Sequence, residues 1–141
     1  MHCTVYRGAN IRAPGDERIT RLVRATLMAL KGANGRVRVH LVGRERMRTL
    51  NRQYRGKDAP TDVLSSPLQE GDILDPEDWG DVFLCPRYIR RQAKRFHVSF
   101  REESARSLVH GLLHLSGHDR ETKRDAARMF RIQERIVTTF L

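Results

Sequence analysis

His110 and His114 stand four residues apart in the run His110-Gly111-Leu112-Leu113-His114-Leu115-Ser116-Gly117-His118-Asp119-Arg120. On a helix that spacing puts them on one face, about 40° apart around the axis. Both imidazoles can then reach one metal ion at roughly 2.0–2.1 Å. A third ligand cannot follow on the same helix, because position i+8 lies about 12 Å along the axis from the first. The chain must turn. Gly117 supplies the turn, and His118 and Asp119 are the next donors. Two histidines buried in Leu-rich sequence also need polar partners. Zinc proteases of this spacing place glutamate directly after the first histidine, as general base. Gly111 stands there instead, which disfavours a protease.

A second polar segment runs from Leu50 to Pro67: Asn51, Arg52, Gln53, Tyr54, Arg55, Gly56, Lys57 and Asp58, then Ala59-Pro60-Thr61-Asp62-Val63-Leu64-Ser65-Ser66. By itself it reads as a helix end, a turn and an edge strand. A third basic group, Arg87, Arg90, Arg91, Lys94 and Arg95, follows Pro86. It could track a nucleic-acid backbone without reading sequence. An ordinary solvated face is the alternative. Tyr54, Tyr88 and Trp79 are the aromatic candidates for stacking on bases, or for the core.

These residues need a scaffold. Residues 2–7 read as a first strand, and Asp16 can cap a helix through about Lys31. Asn34-Gly35 signals a turn. Residues 36–42 alternate, with Val37, Val39 and Leu41 on one side, as in a half-buried strand. Residues 44–55 return to helical spacing, and Val63-Leu64 is short and extended. Residues 69–81 are acidic and read as a surface loop. Residues 81–85 give another strand, and Pro86 opens a helix through Arg95. Ser99 and Glu102 form a capping box for the histidine helix, which ends at Gly117. A last helix runs from about Glu121 to Thr138. Short strands mixed with helices indicate a small α+β domain.

Composition sets the partner class. The chain has 141 residues, with 27 Lys plus Arg against 17 Asp plus Glu and a formal net charge of +10. That length predicts one domain over residues 1–141. Nearly all the excess is arginine, whose planar fork binds phosphate in a bidentate way. A polyanion is expected, with nucleic acid before an anionic membrane. No apolar run approaches the roughly 18 residues of a membrane span. The first residues lack the apolar stretch of a signal peptide. Cys3 and Cys85 have no paired spacing, so a disulfide framework and a cysteine zinc knuckle are excluded. A cytoplasmic setting is the expectation.

Taken together, the two motif segments resemble the YbeY family of bacterial rRNA maturation factors. Asn51 to Pro67 is similar to that family's Asn-x-x-Tyr-Arg-x-x-Asp-x-Pro-Thr-Asp-Val-Leu-Ser-Phe-Pro stretch. Gly80-Asp81 matches a Gly-Asp before a strand, and His110 to Asp119 matches most of its His-Gly-x-Leu-His-Leu-x-Gly-Tyr-Asp-His signature. Order and spacing agree from about residue 36 to 135.

The resemblance implies a mixed four-stranded sheet packed with about five helices, the metal-site helix in the core. It implies a metal-dependent, single-strand-specific endoribonuclease that matures the 3′ end of small-subunit rRNA and acts in ribosome quality control. Zinc is the implied ion. Single-stranded rRNA, the small ribosomal subunit and assembly factors are the implied partners. His110 and His114 match metal ligands, and Arg55 matches an arginine that faces the metal and could hold a phosphate oxygen.

The sequence departs at Ser66, where the family has Phe, at His118, where it has Tyr, and at Arg120, where it has a third metal-binding His. Arginine is permanently charged and cannot ligate a cation. His118, Asp119 or water then completes the site, or the site holds no metal. In that last case the chain is an RNA-binding assembly factor with weak or no nuclease activity.

Overall fold

The computed structural model describes residues 1–66, 75–116 and 123–140. Within them a four-stranded mixed sheet packs with five helices. The strands are β1 (His2–Arg7), β2 (Arg36–Leu41), β3 (Val63–Ser66) and β4 (Asp78–Leu84), in the order β1-β2-β4-β3. β1 with β2 and β2 with β4 are parallel; β3 runs antiparallel to β4. The helices are α1 (Asp16–Ala29), α2 (Arg44–Arg55), α3 (Pro86–Arg95), α4 (Phe100–Leu115) and α5 (Lys123–Phe140).

Alternation along the strands divides the sheet's two faces. Val37, Val39, Leu41, Val82 and Leu84 are buried in the main core with side chains of α1, α4 and α5. Met47 and Leu50 of α2 cover the other face at its β3 end, with Leu64 and Cys85. β3 is therefore held between two helices. Its Leu64 belongs to the α2 cluster, and its Val63 and Ser65 lie against Gly111 of α4.

α4 occupies the centre. Its Ala105, Leu108, Val109, Leu112 and Leu113 are all buried. Ser99 caps it by accepting a hydrogen bond from the Glu102 amide at 3.0 Å. Glu102 gives only half of the expected box, since its carboxylate turns to Arg106. Gly111 is in the helix because nothing larger fits. A Cβ there would come within 2.8 Å of Val63 Cγ2 and 3.0 Å of Val82 Cγ1. The Gly111 carbonyl also accepts a hydrogen bond from Ser65 Oγ at 2.7 Å. A protease-type glutamate at this position would point into the sheet.

Several boundaries differ from the sequence reading. Asp16 does not cap α1; Gly15 does, and the Asp16 carboxylate pairs with Arg7. α1 stops at Ala29, and Lys31 has a positive φ of 58°. The largest correction falls on the acidic segment. β4 begins at Asp78, so residues 78–81 are strand and not loop. Their carboxylates are structural: Asp78 and Asp81 pair with Arg38, Asp81 accepts from His40, and Asp75 pairs with Arg36. Residues 69–74 of that segment lie outside the described residues. Gly117, expected to end the histidine helix, lies outside them too.

Candidate functional site

The last turns of α4 bring His110 and His114 together. Their Nε2 atoms are 3.0 Å apart and their ring centroids 4.6 Å apart. His110 is half-buried and His114 is exposed. The ring of His110 is oriented from α5. Gln133, buried on that helix, lies with Oε1 2.9 Å from His110 Nδ1. The Gln133 amide nitrogen is committed to Glu134 Oε2 at 3.1 Å, so its oxygen faces the ring. An acceptor there requires the proton on Nδ1, and His110 then presents the Nε2 lone pair toward His114. Fixing the tautomer from behind is how proteins orient an imidazole ligand.

The chain of contacts continues through Arg106. Its guanidinium donates to both oxygens of Glu134 at 2.9 Å, and to Glu102 and Glu103 at 3.1 and 3.0 Å. Hydrogen bonds from Arg106 hold the Glu134 carboxyl below its ordinary value, and the same carboxylates hold Arg106 above its own. Glu103 is buried but satisfied, since Gln92 Nε2 donates to it at 2.7 Å. A cavity of about 330 Å³ lies beside His110, lined by Asp62, Gln92, Glu103, Arg106, Ser107 and Gln133.

Asp62 ties this region to the sheet. Its Oδ1 accepts from the Val63 amide at 2.8 Å and the Thr61 hydroxyl at 3.2 Å. Its Oδ2 accepts from Gln92 of α3 at 3.1 Å and Ser107 of α4 at 3.2 Å. One carboxylate therefore fixes the entry to β3 against two helices.

The donor set fits a divalent ion. Two imidazole nitrogens 3.0 Å apart are close enough to touch one ion at roughly 2.0–2.1 Å. Among the described residues no third His, Cys, Asp or Glu completes a cluster with them. His118, Asp119 and Arg120 lie outside the described residues, so the expected third ligand is not placed.

The remaining expectations separate. Arg55 ends α2 and is exposed; Gly56 closes the helix with a left-handed φ of 71°. α2 and α4 lie on opposite faces of β3. Arg87, Arg90, Arg91, Lys94 and Arg95 are all exposed on α3. Arg90 is engaged, however. It lies 4.0 Å from the Phe100 ring centroid and donates to the Arg12 carbonyl at 3.1 Å. Of the aromatic candidates, Trp79 packs against the core and over Gly32 and Gly35, and Tyr88 packs against the α2 cluster. Tyr54 is exposed. Gln133, Glu134 and Arg106 carried no sequence signal. Asp62 stood inside the polar motif and was legible only as part of it.

The family model described as Endoribonuclease YbeY matches residues 10–141. A relative named Endoribonuclease YbeY from a Thermotoga species is 38% identical over 102 residues, covering 72% of this chain and 65% of the relative. One of the same name from Geobacillus thermodenitrificans is 44% identical over 112 residues, covering 74% and 72%. A Thermotoga maritima protein solved in solution is 30% identical, with a TM-score of 0.67, over 98% of this chain and 88% of that one. The match thus spans a little under two thirds of the length of the Thermotoga relative.

Proposed function

The chain belongs to the Endoribonuclease YbeY family, and from that premise we propose that it is a metal-dependent endoribonuclease acting on single-stranded rRNA. The proposed role is maturation of the small-subunit rRNA 3′ end and quality control of ribosomes, with the small subunit and assembly factors as partners. The observation that supports it is the convergence of His110 Nε2 and His114 Nε2, with Gln133 Oε1 against His110 Nδ1.

In this reading His110 and His114 hold zinc, whose imidazole affinity suits the pair, and His118 supplies a third nitrogen. When bound, such an ion polarises a phosphoryl oxygen and acidifies water. Gln133 keeps His110 in the ligating tautomer. Arg55 binds a phosphate oxygen and offsets charge growing there. The exposed cations of α3 hold the backbone without reading bases. Tyr54 is exposed and can stack on a base. Two unpaired cysteines agree with a reducing cytoplasmic compartment. Among the described residues no helix is long and apolar enough to cross a membrane.

The deciding experiment pairs metal analysis of the purified protein with cleavage of single-stranded RNA. Stoichiometric zinc, with cleavage lost in His114→Ala, is expected. Arg120 supports a second reading, because it stands where the family has a metal-binding histidine. Metal-free protein that binds pre-ribosomal RNA tightly and does not cut it would establish the assembly factor instead.

A further inference from the structure

One group of arginines gathers in a groove away from the histidines. The segment between β1 and α1 meets α3 and the first turn of α4 there. The groove they form, about 440 Å³, is lined by Arg7, Arg12, Arg18, Arg90 and Arg101, together with Phe100. Among the described residues no carboxylate lines it. An adjoining groove of about 480 Å³ shares Arg18 and Arg101 and adds Arg21, with Glu17 as its acidic member. The two make one continuous basic track.

Most arginines of the track lack an ion-pair partner among the described residues, as do Arg24, Arg44 and Arg87 elsewhere on the surface. Arg36, Arg38, Arg48 and Arg106 each meet a carboxylate. In the track only Arg7 does, through Asp16 at 2.6 Å. Among the described residues, Arg12, Arg18, Arg90 and Arg101 have no carboxylate within ion-pair distance. Gathering uncompensated cations costs self-repulsion, which a bound polyanion relieves. Arg90 is already held, by Phe100 and by the Arg12 carbonyl. A guanidinium fixed in advance loses less freedom on binding.

Guanidinium forks match phosphate oxygens. Arginines from five segments, spread over two joined grooves, need several phosphates in series rather than one. We propose that this track anchors the phosphodiester backbone of an RNA strand at a site separate from the histidine pair. Arg101 lies in the first turn of α4, and His114, thirteen residues on, is about 20 Å away along the axis. The inference rests on the reading of the chain as an RNA-handling protein.

The test is salt-dependent binding of a single-stranded RNA of about 20 nucleotides to the full chain. Each phosphate contact contributes about 0.7 to the slope of log affinity against log salt for a single strand. The double variant Arg12→Gln/Arg101→Gln is expected to reduce the slope by about 1.4 and to weaken binding. The charge-preserving Arg12→Lys/Arg101→Lys pair is expected to restore most of the slope. An unchanged thermal midpoint in both would exclude unfolding as the cause. RNA binding by the parent protein with the same slope in the glutamine variant would overturn the track and leave the family reading intact. Absence of RNA binding by the parent protein would overturn both. Stoichiometric displacement of RNA by inorganic pyrophosphate would show a site for free phosphate and also overturn the strand assignment.

Discussion

The amide oxygen of Gln133 sits 2.9 Å from Nδ1 of His110, across the contact between α5 and α4. That contact favours the proton on Nδ1 and leaves the lone pair on the Nε2 that faces His114. Replacing Gln133 with Leu removes the acceptor and leaves Nδ1–H without it. We predict a shift of the His110 tautomer population, read from ring nitrogen chemical shifts in metal-free protein. Zinc affinity is expected to fall about 10–100-fold, as for other outer partners of ligating histidines. Gln133→Glu retains an acceptor and should recover much of the affinity. An unaltered tautomer in the leucine variant would show that Gln133 does not orient the ring.

Gly111 allows a second test. Its neighbours leave no room for a methyl group, with Val63 and Val82 both at 3.0 Å or less from the Cβ position. Gly111→Ala should therefore destabilise the fold by about 1–3 kcal/mol through overpacking. The gain in helix propensity, about 1 kcal/mol, opposes this but does not cancel its upper range. Urea midpoints would decide. A variant as stable as the parent would mean that α4 shifts freely on the sheet.

Leu112 is fully buried between the two histidines in sequence. Leu112→Ala is expected to cost about 2–5 kcal/mol, as for buried leucines elsewhere. Calorimetry would measure it. A loss well below 1 kcal/mol would contradict the central placement of α4.

Acid stability follows from Glu134. Its folded pKa is lowered by Arg106, so its contribution is full above the unfolded value of about 4.3. The contribution is lost as pH falls through the lower folded value. Glu134→Gln should flatten the stability profile in that acid window. If parent and variant profiles coincide there, the ion pair does not contribute.

Thiol reactivity should separate the two cysteines. Cys85 is fully buried, and burial pushes its thiol pKa up; Cys3 is half-buried and shifted the same way. Only the thiolate reacts readily. Slow labelling confined to Cys3 is expected at neutral pH, with Cys85 labelled after denaturation. Mass spectrometry of the labelled peptides would show the reverse order if the core packing is wrong.

What the sequence revealed was local. The Ser99 cap, the i and i+4 histidines and the alternation of Val37, Val39 and Leu41 are patterns within one element, and each matched the fold. What it hid depended on register. Asp75, Asp78 and Asp81 looked like a solvated loop because their partners, Arg36, Arg38 and His40, lie about forty residues earlier. Parallel pairing of β2 with β4 brings them together. Gln133 stayed invisible for the same reason, lying twenty-three residues from His110 on another helix. Arg90 read as one cation of a helix face, and only the fold turned it toward Arg12 and Phe100.

That parallel pairing also bears on the order of assembly. β2 and β4 are distant in sequence, so their union closes a long loop before any contact repays the lost entropy. α4 packs on β3 and β4, and on α1, α3 and α5, with little exposed apolar surface of its own. Its sheet-facing side, with Gly111 against Val63 and Val82, has nothing to dock on until the sheet exists. The two imidazoles share a face once α4 is helical, but the helix that carries them is expected to be fixed in place late in refolding, after β4 has found β2. A destabilised strand register would delay the site without altering a single residue in it.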